Sequence, residues 1–280
     1  SSASTVLVSS TLRWMHGQKS GLPDTQRKVL GFTDNRQDAA LQAGHFNDFM
    51  YVSLTRAAFL GALDAAGTTG IRSAQLGEAQ QKALGFDRPD LALRSEWLIT
   101  PELRGVAIQD AEKTLREVLA YRVWFDQRRG WRYTNPNLEK LGLVQVEYQD
   151  LKTLAADQEL FESAPDALKN ASPEVREKVY KELLDHLRKW MAIRSQVLDR
   201  GFIEQLVNRS HSYLRTPWGF GPDEKPRQAR WLMLNPPSRR NRDTSFRDVD
   251  LTVAGGSKSS LGRLLRASRL WGSDAVRRLN

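Results

Sequence analysis

The stretch Lys28–Phe49, KVLGFTDNRQDAALQAGHFNDF, constrains this chain more than any other. It reads as a short buried strand over Val29–Thr33, a polar turn of Asp34, Asn35, Arg36 and Gln37, and a helix beginning near Asp38. A strand that feeds a helix through a polar turn is the unit of nucleotide-handling α/β layers, where ligands meet the carboxyl ends of strands. In such a turn Arg36 supplies charge, while Thr33, Asn35 and Gln37 supply neutral hydrogen bonds. The first amides of a helix lack partners inside it, so the setting suits a phosphate. A competing reading makes Asp34–Arg36 a local ion pair that only shapes the turn.

The same residues carry a resemblance. FTDNRQDA resembles motif IV of superfamily 2 helicases, a hydrophobic strand ending in F-[TSV]-[DN]-[ST/N]-R that opens their second RecA-like domain. With GHFNDF following, it is similar to the large bacterial DEAD/DEAH-box helicases grouped with YprA/MrfA-type and phage-defence helicases. Trp131–Tyr148 (WRYTNPNLEKLGLVQVEY), Leu184–Ile193 (LDHLRKWMAI) and Tyr213–Phe220 (YLRTPWGF) fit the same group. The resemblance implies an ATP hydrolase that moves on DNA, with roles in DNA repair or antiviral defence. It also implies that the motif IV turn lies along the nucleic-acid track.

The parts of such a motor that handle ATP are absent from this sequence. No G-x-x-x-x-G-K-[ST] loop occurs, and such a loop is what cradles the phosphates and coordinates Mg2+. Around Gly255-Gly256-Ser257-Lys258-Ser259 the first glycine of that pattern would fall at Leu251 or Thr252. DEAD or DEAH tetrads and a Q-x-x-G-R-x-G-R motif are missing too. The expectation is a piece of a larger helicase that holds no catalytic residue and does not hydrolyse ATP alone. ATP and Mg2+ are implied only for the full-length protein, and the start at Ser1 fits a segment of a longer chain.

Composition narrows the partners. The chain carries no cysteine, which excludes disulfides and cysteine zinc sites, and its four histidines lack metal-ligand spacing. No apolar run approaches the roughly 20 residues needed to span a bilayer, and no secretory signal opens the chain. A cytoplasmic protein without a membrane partner is expected. The net charge of +9 is uneven: residues 221–280 hold 13 Lys/Arg against 6 Asp/Glu, leaving a balance of +2 for residues 1–220. A concentrated positive field is the usual footprint of nucleic-acid binding. Arg239, Arg240 and Arg242, beside Pro236-Pro237, fit a backbone-gripping arm, and Arg263 and Arg266 recur with Arg269 near one helix face. DNA, single-stranded or duplex, is the expected partner, with the remaining helicase domains of the same polypeptide and possible defence or repair proteins. The other reading is a solvated linker.

The architecture expected is mainly α with a small α/β portion: the start of a RecA-like layer, then a largely helical insertion or accessory region. Residues 1–66 hold an N-terminal helix and the strand–turn–helix, with the second helix running to about Ala66. Its apolar residues, among them Leu41, Met50, Leu54 and Phe59, cover more than one face, which predicts burial between layers. Residues 67–218 form the helical region, broken at Gly85, Arg88-Pro89 and Thr100-Pro101, with a long helix over Pro101–Arg129. A small β element is expected near 131–148, from Trp131–Thr134 and the alternating Val144–Tyr148. Trp131, Tyr133, Asn135 and Asn137 offer a stacking platform for bases, although core duty is favoured.

Ser172-Pro173-Glu174 opens a helix with the apolar stripe Val175, Val179, Leu183, Leu187, Trp190 and Met191. A further helix spans Ser195–Tyr213. Residues 219–280 read as an exposed basic Pro/Gly/Arg-rich segment and a terminal helix from Ser260. Against the motor stands a stand-alone helical adaptor that binds nucleic acid or protein. Flanking sequence carrying a Walker loop and an arginine motif discriminates the two.

Overall fold

The computed structural model describes residues 2–17, 20–29, 36–129, 136–164 and 166–229, with the backbone of 232–233 and 252–253. The chain divides into two compact units, Ser1–Thr68 and Thr69–Asn280, and the described residues are mainly helical.

The first unit pairs helix α1 (Ser2–Met15) with helix α2 (Arg36–Ala66). Met50 touches α1 at its edge, where Ser9 Oγ donates to its sulfur at 3.0 Å. The expected strand over Val29–Thr33 is not shown: Val29 lies in no strand, and Leu30 to Thr33 are outside the described residues. Helix α2 starts at Arg36 instead of Asp38, so Arg36 and Gln37 sit in its first turn. Only the backbone is described there. Burial of α2 is also partial. Ala58, Phe59 and Ala62 are buried, whereas Leu41, Met50 and Leu54 are exposed. An apolar face wider than one neighbour can cover leaves part of itself in water.

The second unit is built around α5 (Gly105–Arg129), whose Ala111, Leu115, Val118, Leu119 and Tyr121 are all at most 1% exposed. The helix begins four residues later than Pro101, after a turn in which Leu103 N donates to Thr100 O. Around it pack α3 (Leu76–Ala83), α8 (Pro173–Lys189) and α9 (Arg200–Tyr213). The approach of α3 is close, because a Cβ on Gly77 would meet Arg116 O at 2.0 Å. Between them, α4 (Leu91–Trp97) starts at Asp90, whose side chain accepts from Leu93 N at 3.0 Å. Trp97 and Phe86 then join Trp218 in a buried aromatic group, with Phe86 edge-on to Trp218 at 4.6 Å. Full burial of each large apolar side chain contributes about 1.5–3 kcal/mol.

One strand expectation changes here. Val144–Tyr148 forms no ladder, yet its alternation survives: Val144, Val146 and Tyr148 are half-buried while Gln145 and Glu147 are exposed. The segment is held by side chains, as Lys181 Nζ donates to Val146 O at 3.3 Å. Trp131–Thr134 lies outside the described residues. Besides an isolated antiparallel bridge between Leu98 and Leu214, the described residues hold one very short parallel pairing, β1 (Leu232–Met233) on β2 (Thr252–Val253). Both strands belong to the segment expected to be exposed and basic.

Helix α8 starts as expected: Ser172 caps it by accepting from Val175 N at 3.5 Å, and Pro173 occupies the first turn. Its burial pattern is not the expected one. Val175 is 52% exposed, and most of the apolar stripe is half-buried, whereas Arg176 and Arg188 are at most 3% exposed. Arg176 reaches back across α6 (Leu151–Ala156) and α7 (Asp166–Lys169). Its Nε donates to Leu168 O at 2.8 Å, and its terminal nitrogens donate to Lys169 O at 2.5 Å, Gln158 Oε1 at 2.8 Å and Ala155 O at 3.4 Å. The guanidinium also lies over the Phe161 ring at 4.1 Å. Its hydrogen-bond acceptors are neutral oxygens, three of them carbonyls at helix ends where the helix dipole favours a cation. Arg176→Leu therefore strands buried carbonyls as well as losing the charge. We expect it to cost about 2–4 kcal/mol, read as a lower urea midpoint, with partial recovery in Arg176→Lys.

Candidate functional site

Thr33, Asn35, Arg239, Arg240, Arg242, Arg263 and Arg266 are outside the described residues, and for Arg36 and Gln37 the backbone alone is described. What the backbone adds is a position. Arg36 and Gln37 occupy the first turn of the 31-residue α2, where amide groups have no acceptor within the helix. Of the base-stacking candidates, Asn137 is the described one, and it is structural. It is 1% exposed; Nδ2 donates to Asp126 O and Gln127 O at the end of α5, and Oδ1 accepts from Lys140 N at 2.9 Å.

Two polar clusters stand out in the second unit. The first centres on Arg188. Its guanidinium donates to Gln127 Oε1 of α5 at 3.1 Å, to Glu139 Oε1 at 2.7 Å, to Asp185 Oδ1 at 3.0 Å and to the Tyr148 hydroxyl at 3.3 Å. That hydroxyl in turn donates to Asp185 Oδ1 at 2.9 Å. Lys181 and Lys189 add positive charge, at 3.4 Å from Asp185 and 3.7 Å from Glu139. Burial pushes the Asp185 carboxyl up, but hydrogen bonds from Arg188 and Tyr148 outweigh it and hold the group below the ordinary carboxylate range. Burial also raises the Tyr148 phenol, which stays protonated and donates. A cluster whose acids are paired and whose phenol resists ionisation positions chain segments; it offers no activated nucleophile. No grouping of His, Cys, Asp and Glu among the described residues could hold a metal ion.

The second cluster fastens residues 219–229 to the helical body. The segment was expected to be exposed from Gly219 onward, yet Trp218, Gly219 and Phe220 are buried. Phe220 packs edge-on against Tyr121 at 5.3 Å, and its amide donates to Ser210 Oγ at 3.2 Å. Arg122 grips Glu224 through both terminal nitrogens, and Gly221 N donates to the same carboxylate at 3.1 Å. Burial raises the Glu224 carboxyl, but the bonds and charge of Arg122 bring it below its usual range. Further on, Arg227 N donates to the Tyr121 hydroxyl at 2.8 Å and Ala229 N to Leu198 O at 2.7 Å. Burial pushes the Tyr121 phenol up to about 12.

Helix α9 was expected from Ser195. Instead a 3₁₀ turn covers Gln196–Leu198, and Asp199 caps α9 by accepting from Phe202 N at 3.1 Å. The aspartate starts the helix there because its oxygen reaches the third amide of α9. The resulting break exposes Leu198 O to the strap.

Neither cluster is visible in the sequence as a motif. Arg188 has partners as distant as Gln127, and Arg122 is paired 102 residues away. The only local sign is Asp185, three residues before Arg188 on one helix face. Because the folded pKa of Asp185 is depressed, the stabilisation is complete above the unfolded value of about 3.9 and is lost as pH falls through the folded one. Asp185→Asn should therefore be less stable than the parent at neutral pH, and the gap should close below about pH 4 in urea titrations.

Compared with known proteins, the chain matches no family model, and no curated protein and no solved structure matches it significantly.

Proposed function

We propose that the chain is part of an ATP-dependent superfamily 2 DNA helicase or translocase. In this reading it is the start of the second RecA-like domain, with a helical accessory body and an arginine-rich segment. The observation that carries the reading is Lys28–Phe49, where F-T-D-N-R runs directly into a helix. Arg36 in the first turn of α2 supports it further: charge and helix-start amides act together on one phosphate. Contacts of this kind hold the sugar–phosphate track without reading bases. Arg239, Arg240, Arg242, Arg263 and Arg266 extend the grip along the backbone.

The residues of this chain do not fit ATP and Mg2+. The sequence has no phosphate-cradling loop, and the described residues have no carboxylate grouping for a metal. In this reading hydrolysis belongs to other portions of the polypeptide. A cytoplasmic site of action in repair or antiviral defence goes with the reading, and no described helix is long and apolar enough to cross a membrane.

Arg36→Ala in the full-length polypeptide should lower DNA-stimulated ATPase about tenfold, the worth of one charge-assisted contact, and leave basal ATPase intact. Equal loss of both rates counts against the track role, and a full-length protein without DNA-stimulated ATPase points to the adaptor. Separately, a chain ending after Ala229, which keeps the contacts of Glu224 and Ala229, should bind duplex DNA with a flatter dependence of log K on log salt, by about 0.9 for each phosphate contact removed. An unchanged slope removes the arginine-rich segment from the interface.

A further inference from the structure

One backbone contact gathers three arginines that the sequence keeps apart. Ala229 N donates to Leu198 O at 2.7 Å, so the end of the strap lies against the 3₁₀ turn before α9. Arg227 precedes Ala229 by two residues, and Arg200 follows Leu198 by two and opens α9. At about 3.8 Å per peptide unit, each Cα lies within about 8 Å of its end of that contact. Arg194 stands just outside the same turn, which Leu198 N closes by donating to Ser195 O at 3.0 Å.

All three arginines are exposed. Arg194 and Arg227 form no ion pair among the described residues. Arg200 meets only Glu204, one helical turn on, with Nε to Oε1 at 3.5 Å and both side chains more than half exposed. A pair so exposed contributes little and is easily exchanged for a better anion. The Asp199 carboxylate between them is already engaged as the cap of α9. The group is also held in place, because Arg227 is fixed through its amide to Tyr121 and the strap through Glu224 to Arg122. Arginines carried on a backbone fixed around one turn are suited to the phosphates of one strand, because each guanidinium offers a bidentate fork.

We infer that this junction is a contact surface for the sugar–phosphate backbone of nucleic acid. The inference rests on the helicase reading above and adds a separate contact on the helical body of the second unit. Arg194, Arg200 and Arg227 each neutralise a phosphate, and Glu204 acts against them by occupying Arg200 in the free protein. The surface reads charge and spacing, so it has no base preference.

The test uses the full chain and fluorescein-labelled oligothymidylate, with anisotropy followed across a potassium chloride series. The variant Arg194→Gln/Arg200→Gln/Arg227→Gln should bind at least tenfold more weakly at low salt. Its slope of log K against log salt should fall by about 2, since each single-strand phosphate contact contributes about 0.7. Glu204→Gln, which releases Arg200, should tighten binding two- to threefold. An unchanged slope in the triple variant, while Arg36→Ala and Arg239→Gln/Arg240→Gln/Arg242→Gln still weaken binding, overturns this surface and leaves the helicase reading standing. Loss in the triple variant alone keeps the surface and removes the motif IV and tail contacts. A parent chain that binds no oligothymidylate overturns both. Phosphatidylserine vesicles that displace the oligonucleotide at equal phosphate overturn the nucleic-acid assignment in favour of a lipid surface.

Discussion

The second unit depends on two cations placed inside it. Arg176 and Arg188 lie twelve positions apart on α8, about 18 Å along its axis, and each ties one end of that helix to other elements. Arg176 gathers the carbonyl ends of α6 and α7, while Arg188 gathers α5, the segment carrying Glu139 and Tyr148, and its own Asp185. A buried guanidinium left unpaired is costly, so both ends of α8 are specified by what must surround these groups. The apolar stripe of the helix could not do this alone, with Val175 in water and Leu183 and Leu187 half-covered. Dispersion and burial favour packing in general; the two guanidinium forks choose one arrangement of it.

How much of this was legible in the sequence follows from the range of each signal. Local chemistry was readable: Ser172-Pro173 begins α8, Gly67 follows the last residue of α2, and Gly85, at φ of 75°, sits where the chain turns after α3. The mainly helical class was readable from periodicity for the same reason. Signals that depend on distant partners were not. On a helical wheel Arg176 falls inside the apolar arc, between Leu183 and Leu187, where its charge argues against burial, and Arg188 falls outside that arc; the carbonyls of α7 and the carboxylate of Glu139 are what make them interior. Val144–Tyr148 shows the middle case. Its alternation correctly marks which side chains turn inward, but alternation cannot say whether a neighbouring strand exists. The candidate site was legible as a motif and a charge run; the junction at Leu198 was not, because it needs a break in α9 and a strap from Gly219 to coincide.

The arginines of this chain sort by what meets them, and that sorting bears on function more than their number does. Arg122, Arg176 and Arg188 are matched by Glu224, by helix-end carbonyls and by Glu139 with Asp185. Acids neutralise Arg122 and Arg188 internally, and Arg176 is buried among neutral oxygens. Arg194 and Arg227 are exposed and meet no acid among the described residues, so their field is available to a partner. A count over residues 1–220 gives a balance of only +2 and suggests a neutral body. The balance conceals a segregation, because acids paired with buried arginines cannot also offset exposed ones. A nearly neutral body can therefore still present a locally positive face, set by which cations folding leaves without a partner, and a polyanion responds to that face rather than to the total.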